Sequence, residues 1–127
     1  MSEKLHFDLV SPESLLVSMQ VESVVVPGSE GDFGVLPAHS PVVSVIRPGI
    51  LSVTDAGQVT EYFVRGGFAD VTPDGLTVLA EHAIELAHFG DDERAREIAT
   101  AQTVLENATT DKERLNAQMV VDVIGAL

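Results

Sequence analysis

Apolar and polar positions alternate from the start of the chain. Leu5, Phe7 and Leu9 interleave with His6, Asp8 and Val10, the period-two pattern of a strand with one buried face. Leu15-Leu16-Val17 and Val21 to Val26 make two further runs, and Val42 to Ile46 a fourth. Arg47-Pro48-Gly49 turns the chain into Ile50-Leu51-Ser52-Val53-Thr54, and Asp55-Ala56-Gly57-Gln58 closes a hairpin into Val59 to Arg65. Gly66-Gly67 predicts a bulge or a close backbone approach inside the sheet. Phe68 to Thr72 and Leu76 to Leu79 flank the turn Pro73-Asp74-Gly75. Short strands at roughly ten-residue spacing predict a sandwich or flattened barrel rather than alternating β and α units. Between the third and fourth runs lies the punctuated stretch Pro27 to Pro41, read as a shaped loop that faces a partner.

Around Gly90 the period changes to a helical one. Asp91-Asp92 has the form of a cap and first turn, since orphan amides and the helix dipole both favour carboxylates there. Ala95, Ile98, Ala99, Gln102 and Leu105 form a weak apolar stripe. Asn107-Ala108-Thr109 reads as a break, although it also matches the glycosylation sequon, and Thr110-Asp111-Lys112-Glu113 has the form of a capping box. The second helix should bury Leu115, Met119, Val120, Val123, Ile124 and Leu127. Its run Val120 to Ile124 is β-branched or acidic throughout, so this helix must lean on tertiary contacts. The reading is a mainly β chain, with a flattened β-sandwich over 1–87 and a two-helix antiparallel hairpin over 88–127.

Charge and composition remove several function classes. Over 127 residues the chain holds 20 acids against 7 bases, a formal charge of -13, and neither half gathers a basic stripe. Nucleic acid and anionic lipid are thereby disfavoured as partners. Cysteine is absent, which excludes thiol catalysis and disulfide stapling. Met1-Ser2-Glu3-Lys4-Leu5 leads directly into the first strand pattern without a signal-like segment, and no apolar run reaches spanning length.

Four histidines carry the candidate chemistry. His82, Glu85 and His88 are three ligand types at close spacing, but neither helix nor strand geometry aims all three at one point, and no metal is expected. His39 lies between Pro37 and Pro41, where it reads as a contact or bracing residue; a small hydrolase using His39 with Asp32 is the competing class. The glycines of 28–34 build no phosphate cradle, because the stretch lacks a Gly-Lys-Ser/Thr end and carries Glu30 and Asp32. Composition and spacing end at a β-rich adapter with a helical hairpin, binding a protein surface, with a basic one favoured.

Val26 to Pro41 (VPGSEGDFGVLPAHSP), Arg47-Pro48-Gly49, Tyr62 to Val71 (YFVRGGFADV) and Leu76 to Glu81 (LTVLAE) occur in order. Together these closely resemble the epsilon subunit family of bacterial F-type ATP synthases, the counterpart of the mitochondrial delta subunit. The resemblance implies a non-catalytic rotor subunit whose sandwich packs on the gamma subunit and stands on the ring of c subunits. It would lie at the cytoplasmic side of the bacterial inner membrane as part of a proton-transporting complex. It implies that Glu30 and Asp32 approach the c ring and that His39 lies at the gamma contact. In relatives the hairpin can open toward the alpha and beta subunits and block ATP hydrolysis. Here the second helix has Asp111, Glu113 and Asp122 against Lys112 and Arg114, net -1, so inhibition is expected to be weak or absent. Asp91, Arg94 and Ala95 match a nucleotide-binding motif of some relatives, but Gly90 replaces its aliphatic position. No cofactor is expected, and Asp91 is expected to cap the helix while Arg94 pairs with a nearby acid. A peripheral complex of unrelated type is the remaining alternative.

Overall fold

The computed structural model describes residues 4–127, so the reading of Met1 to Glu3 as leading straight into a strand lies outside the described residues. Ten strands form a single hydrogen-bonded sheet: β1 Leu5–Val10, β2 Leu15–Val21, β3 Ser23–Gly28, β4 Gly31–Val35, β5 Val42–Ile46, β6 Gly49–Asp55, β7 Gln58–Val64, β8 Gly67–Thr72, β9 Gly75–Ala80 and β10 Ala83–Glu85. A single turn of 3-10 helix, Leu86–His88, leads to α1 Asp91–Asn107 and α2 Asp111–Gly125.

The strands run in the order β10-β7-β6-β3-β5-β8-β9-β1-β2, with β4 paired to β3. Neighbours are antiparallel except β1 and β9, which run parallel. The β3–β5 link is the single register pair Gly28–Ile46, where the sheet turns over on itself into two layers. Between the layers lie Leu5, Phe7, Leu9, Val24, Val26, Leu51, Val64, Val71, Leu76 and Val78, all buried. Alternation thus delivers the expected sandwich.

Three local forms follow from turn chemistry. Ala56 and Gly57, both at positive φ, are the two-residue loop of the β6–β7 hairpin, whose right-handed strands favour such turns. The punctuated stretch is not one loop, as its glycines suggested. Its first half is a hairpin, with Gly28 opposite Gly31 and Val26 opposite Phe33. At Gly67 the backbone has φ +137, and an added Cβ would stand 1.9 Å from the carbonyl oxygen of Leu79, so the expected close approach occurs here.

A second core holds the helices. Tyr62, Phe63 and Val64 are consecutive and all buried: Tyr62 and Val64 face the sandwich interior, while Phe63 faces outward under the helical hairpin. Phe63 stacks on Phe89 at 5.5 Å between ring centroids, and Ala101, Ala117, Val120 and Ile124 complete the cluster. Two helical faces therefore differ from the periodic reading. On α1, Ala95, Ala99 and Gln102 are exposed, and Ile98, Ala101 and Leu105 turn inward. On α2, Ala117 takes the buried position and Leu115 is 57% exposed, with Leu127 also outside. Thr110 caps α2 by accepting from the Glu113 amide at 3.1 Å, and the Glu113 carboxylate accepts in return from the Thr110 hydroxyl.

Gly67→Ala is expected to cost about 3 kcal/mol or more, because a left-handed φ and the Leu79 carbonyl both oppose a side chain. Chemical denaturation measures it; a loss under about 1 kcal/mol would show that the β8–β9 backbone yields easily.

Candidate functional site

The residues singled out in the punctuated stretch lie on three different features. Ser29 and Glu30 form the two-residue tip between β3 and β4, and Glu30 is exposed there. Asp32 stands on β4 and accepts from the Arg47 guanidinium at 2.5 Å, while the same guanidinium donates to the Gly28 carbonyl at 2.6 Å. The Arg47 amide also donates to the Pro27 carbonyl at 2.9 Å. Arg47 thus clamps both arms of the hairpin, and Asp32 serves that clamp at the surface. His39 ends a type II turn, its amide donating to the Leu36 carbonyl at 3.2 Å across Pro37 and Ala38, the latter at φ 62. Its Nδ1 lies 2.7 Å from the Ser40 carbonyl, which selects the tautomer protonated there and leaves Nε2 available to a partner.

The outward face of the second layer carries a feature that strand alternation alone did not reveal. Cross-strand register places Val45 beside Phe68, Phe68 beside Leu79, Leu79 beside Val10, and Val10 beside Leu15. The row crosses five strands, and Val45, Phe68, Leu79 and Leu15 are between 48% and 60% exposed. A shallow hollow of about 190 Å³ opens along it between Val10, Pro12, Phe68 and Leu79. Four large apolar side chains are thus aligned on one face of the sheet, where exposed apolar residues are ordinarily scattered singly. The signal was present in the apolar outward positions, but pairing register was needed to join them.

Catalytic constellations fail on geometry. His6 accumulates polar neighbours, with Asp8 at 3.0 Å and Ser18 at 3.3 Å, but both meet the same nitrogen, Nε2. A proton relay from a serine to a histidine oriented by a carboxylate needs opposite ring nitrogens. His39 and Asp32 are each engaged elsewhere, with Ser40 and Arg47 respectively. His88 meets Glu85 at 3.2 Å while His82 turns away to Glu97 at 3.0 Å, so the three candidate ligands do not converge on one point. Among the described residues no cluster of three metal-ligating side chains occurs. Burial, and then Glu85 across the β7–β10 pair, raises the Tyr62 phenol above its ordinary value.

At the nucleotide-like motif both structural expectations are corrected. Gly90 is the N-cap of α1 and uses no side chain, so Asp91 is the first helical residue and joins Asp92 and Glu93 in favouring the dipole. Arg94 does not pair with an acid. Its Nε donates to the Phe89 carbonyl at 2.8 Å, and its guanidinium lies 5.5 Å over the Phe89 ring. Arg94 therefore locks the ring that stacks on Phe63, and Ala95 beside it is exposed.

Comparison with known proteins adds an independent line. The family described as ATP synthase, Delta/Epsilon chain, beta-sandwich domain matches residues 4–86. The ATP synthase epsilon chain of Maricaulis maris is 51% identical over 121 residues, covering 95% of this chain and 91% of that one. The epsilon chain of Parvibaculum lavamentivorans is 52% identical, covering 96% and 93%. Among solved structures, a chain of the Euglena gracilis mitochondrial ATP synthase shares the fold at a TM-score of 0.73 and 21% identity, covering 98% of this chain and 79% of that one. A chain of the Tetrahymena thermophila mitochondrial ATP synthase central stalk and c ring does so at 0.66 and 14%, covering 98% and 96%.

Proposed function

The chain belongs to the ATP synthase delta/epsilon family as an epsilon chain, a non-catalytic central-stalk subunit of an F-type ATP synthase, and we propose that it docks on gamma through the Val45–Phe68–Leu79–Leu15 row. The single observation that carries this reading is that row. Burying apolar area contributes about 25 cal/mol per Å², and the outer face of this layer offers a continuous band of it. His39 would extend the contact with its free Nε2. Glu30, at the tip of a hairpin that Arg47 already holds, would meet basic side chains of the c ring without an ordering cost. Asp32 would contribute by holding Arg47 in place as much as by any direct contact. In this reading the subunit is peripheral, on the cytoplasmic side of the bacterial inner membrane. Among the described residues no helix is long and apolar enough to cross a membrane.

The hairpin would act as at most a weak brake on hydrolysis. Its second helix is net acidic, and leaving the sheet would expose Phe63, Val120 and Ile124. Leu115, which periodicity placed in that buried set, contributes little because it is already exposed. ATP would not be needed to keep the pair closed, since Arg94 is engaged with Phe89.

Three measurements test these assignments. Phe68→Glu and Leu79→Glu are each expected to weaken binding to gamma by about tenfold or more, with folding unchanged because both side chains point away from the core. Wild-type affinity in both variants would sink the docking surface. Glu30→Lys should reduce proton-coupled synthesis in the reconstituted complex while leaving thermal stability within about 0.5 kcal/mol. It is a cleaner probe than a change at Asp32, which would also release Arg47; unaltered coupling would remove Glu30 from the c-ring contact. Deleting residues 91–127 removes both helices, together with the Arg94 contact to Phe89, and hydrolysis by the assembled enzyme should then change by less than about twofold. A several-fold rise would make the hairpin a working inhibitor.

A further inference from the structure

The helical hairpin meets the sandwich unevenly. At one end Phe63, Phe89, Val120 and Ile124 close into an apolar cluster. At the other a cleft of about 520 Å³ separates the helices from β5 and the Gly66–Phe68 segment, with Ala101, Val104 and Ala117 on its helical side. Among the described residues, the side-chain contacts of Glu97 with the sandwich both fall at this open end. Glu97 of α1 lies 3.5 Å from Arg65 and 3.0 Å from His82, one carboxylate oxygen to each. Arg65 and His82 are held as neighbours because the Arg65 amide donates to the His82 carbonyl at 2.9 Å.

We infer that Glu97, Arg65 and His82 form an electrostatic strap that holds the hairpin closed over the cleft. The Glu97 side chain is only 13% exposed, whereas Arg65 and His82 reach it from the rim. A carboxylate so withdrawn depends on the side chains beside it to offset the solvation it has lost. The other charged groups bordering the cleft are Glu81 of the sheet and Lys112 and Glu113 of α2. Without Arg65 and His82, Glu97 would sit near two further acids and a single lysine. Removing Arg65 and His82 must therefore open the hairpin more than removing the acid, and neutralising the acid must reverse much of the damage. A structural side chain contributing only packing would show neither asymmetry.

The absence of cysteine allows a clean distance measurement on the isolated full chain, whatever partner the sandwich binds. Thr72→Cys on the sandwich and Thr109→Cys at the helix link, both exposed, accept spin labels for pulsed dipolar spectroscopy. Against that background R65A/H82A should raise the fraction of long-distance, undocked molecules by about tenfold over the parent. E97Q alone should raise it less, and adding E97Q to R65A/H82A should lower the open fraction by about threefold. An unchanged distance distribution in R65A/H82A, or no reversal by E97Q, would overturn the strap. Should R65A/H82A fail to fold, amide exchange of α1 in R65A, H82A and E97Q makes the same comparison. The strap then requires R65A or H82A to exchange faster than E97Q, and the reverse order would refute it.

Discussion

Everything about the arrangement of this chain depends on Phe63 being buried on the outer side of a sheet. A strand ordinarily hides alternate residues, yet Tyr62, Phe63 and Val64 are all withdrawn from water. The sandwich therefore carries an apolar patch, with Ile50 and Ile84 beside Phe63, that it cannot cover by itself. The 3-10 turn after β10 brings Phe89 back over that ring, and Arg94 fixes Phe89 from above. α2, with its run of β-branched and acidic residues from Val120 to Ile124, then gains from this patch the tertiary support that its propensities withhold. The hairpin sits where it does because a ring on the sheet requires a cover.

The two outer faces are thus put to different uses. One layer spends its outward apolar residues on the chain's own helices. The other leaves Val45, Phe68, Leu79 and Leu15 about half exposed. A subunit that transmits torque gains from contacts whose elements are ordered beforehand, and the Arg47 clamp on the β3–β4 hairpin is one such device. The type II turn that holds His39 is another, with Ala38 taking the conformation that glycine adopts more easily.

Most of the sheet was legible from alternation, because strands with one buried face announce their parity residue by residue. Gly31–Val35 escaped because a strand containing two glycines and an aspartate reads as turn, although its two-residue connection to β3 is ordinary hairpin chemistry. Helical faces were read only in part for a related reason: Ile98, Leu105, Val120 and Ile124 lie inward as periodicity placed them, but Ala95, Ala99, Gln102 and Leu115 do not. α1 is rich in alanine on several sides, so the inward face is chosen by Phe63 and Phe89 rather than by periodicity; Ala101 and Ala117 are favoured because two helices and a sheet approach closely there. The assignments of Glu30, Asp32 and His39 came from likeness to a family, since no spacing rule marks an acid at a hairpin tip as a contact. The outward row was missed because it exists only across strands, as a product of register. Arg47, Glu97 and Phe89 were passed over because their partners lie far away in sequence.

The row's far end has a colloidal consequence. β2 closes the hydrogen-bonded order of the sheet, and Leu15, Leu16 and Met19 on it are exposed. An edge strand of that kind is a template on which a second copy could pair. Opposing this is a formal charge of -13 on 127 residues, which makes like molecules repel before their edges meet. That repulsion reaches only about 10 Å at 0.1 M salt and less at higher ionic strength. The same acidity that shapes partner choice thereby also sets the salt concentration below which unassembled copies stay apart.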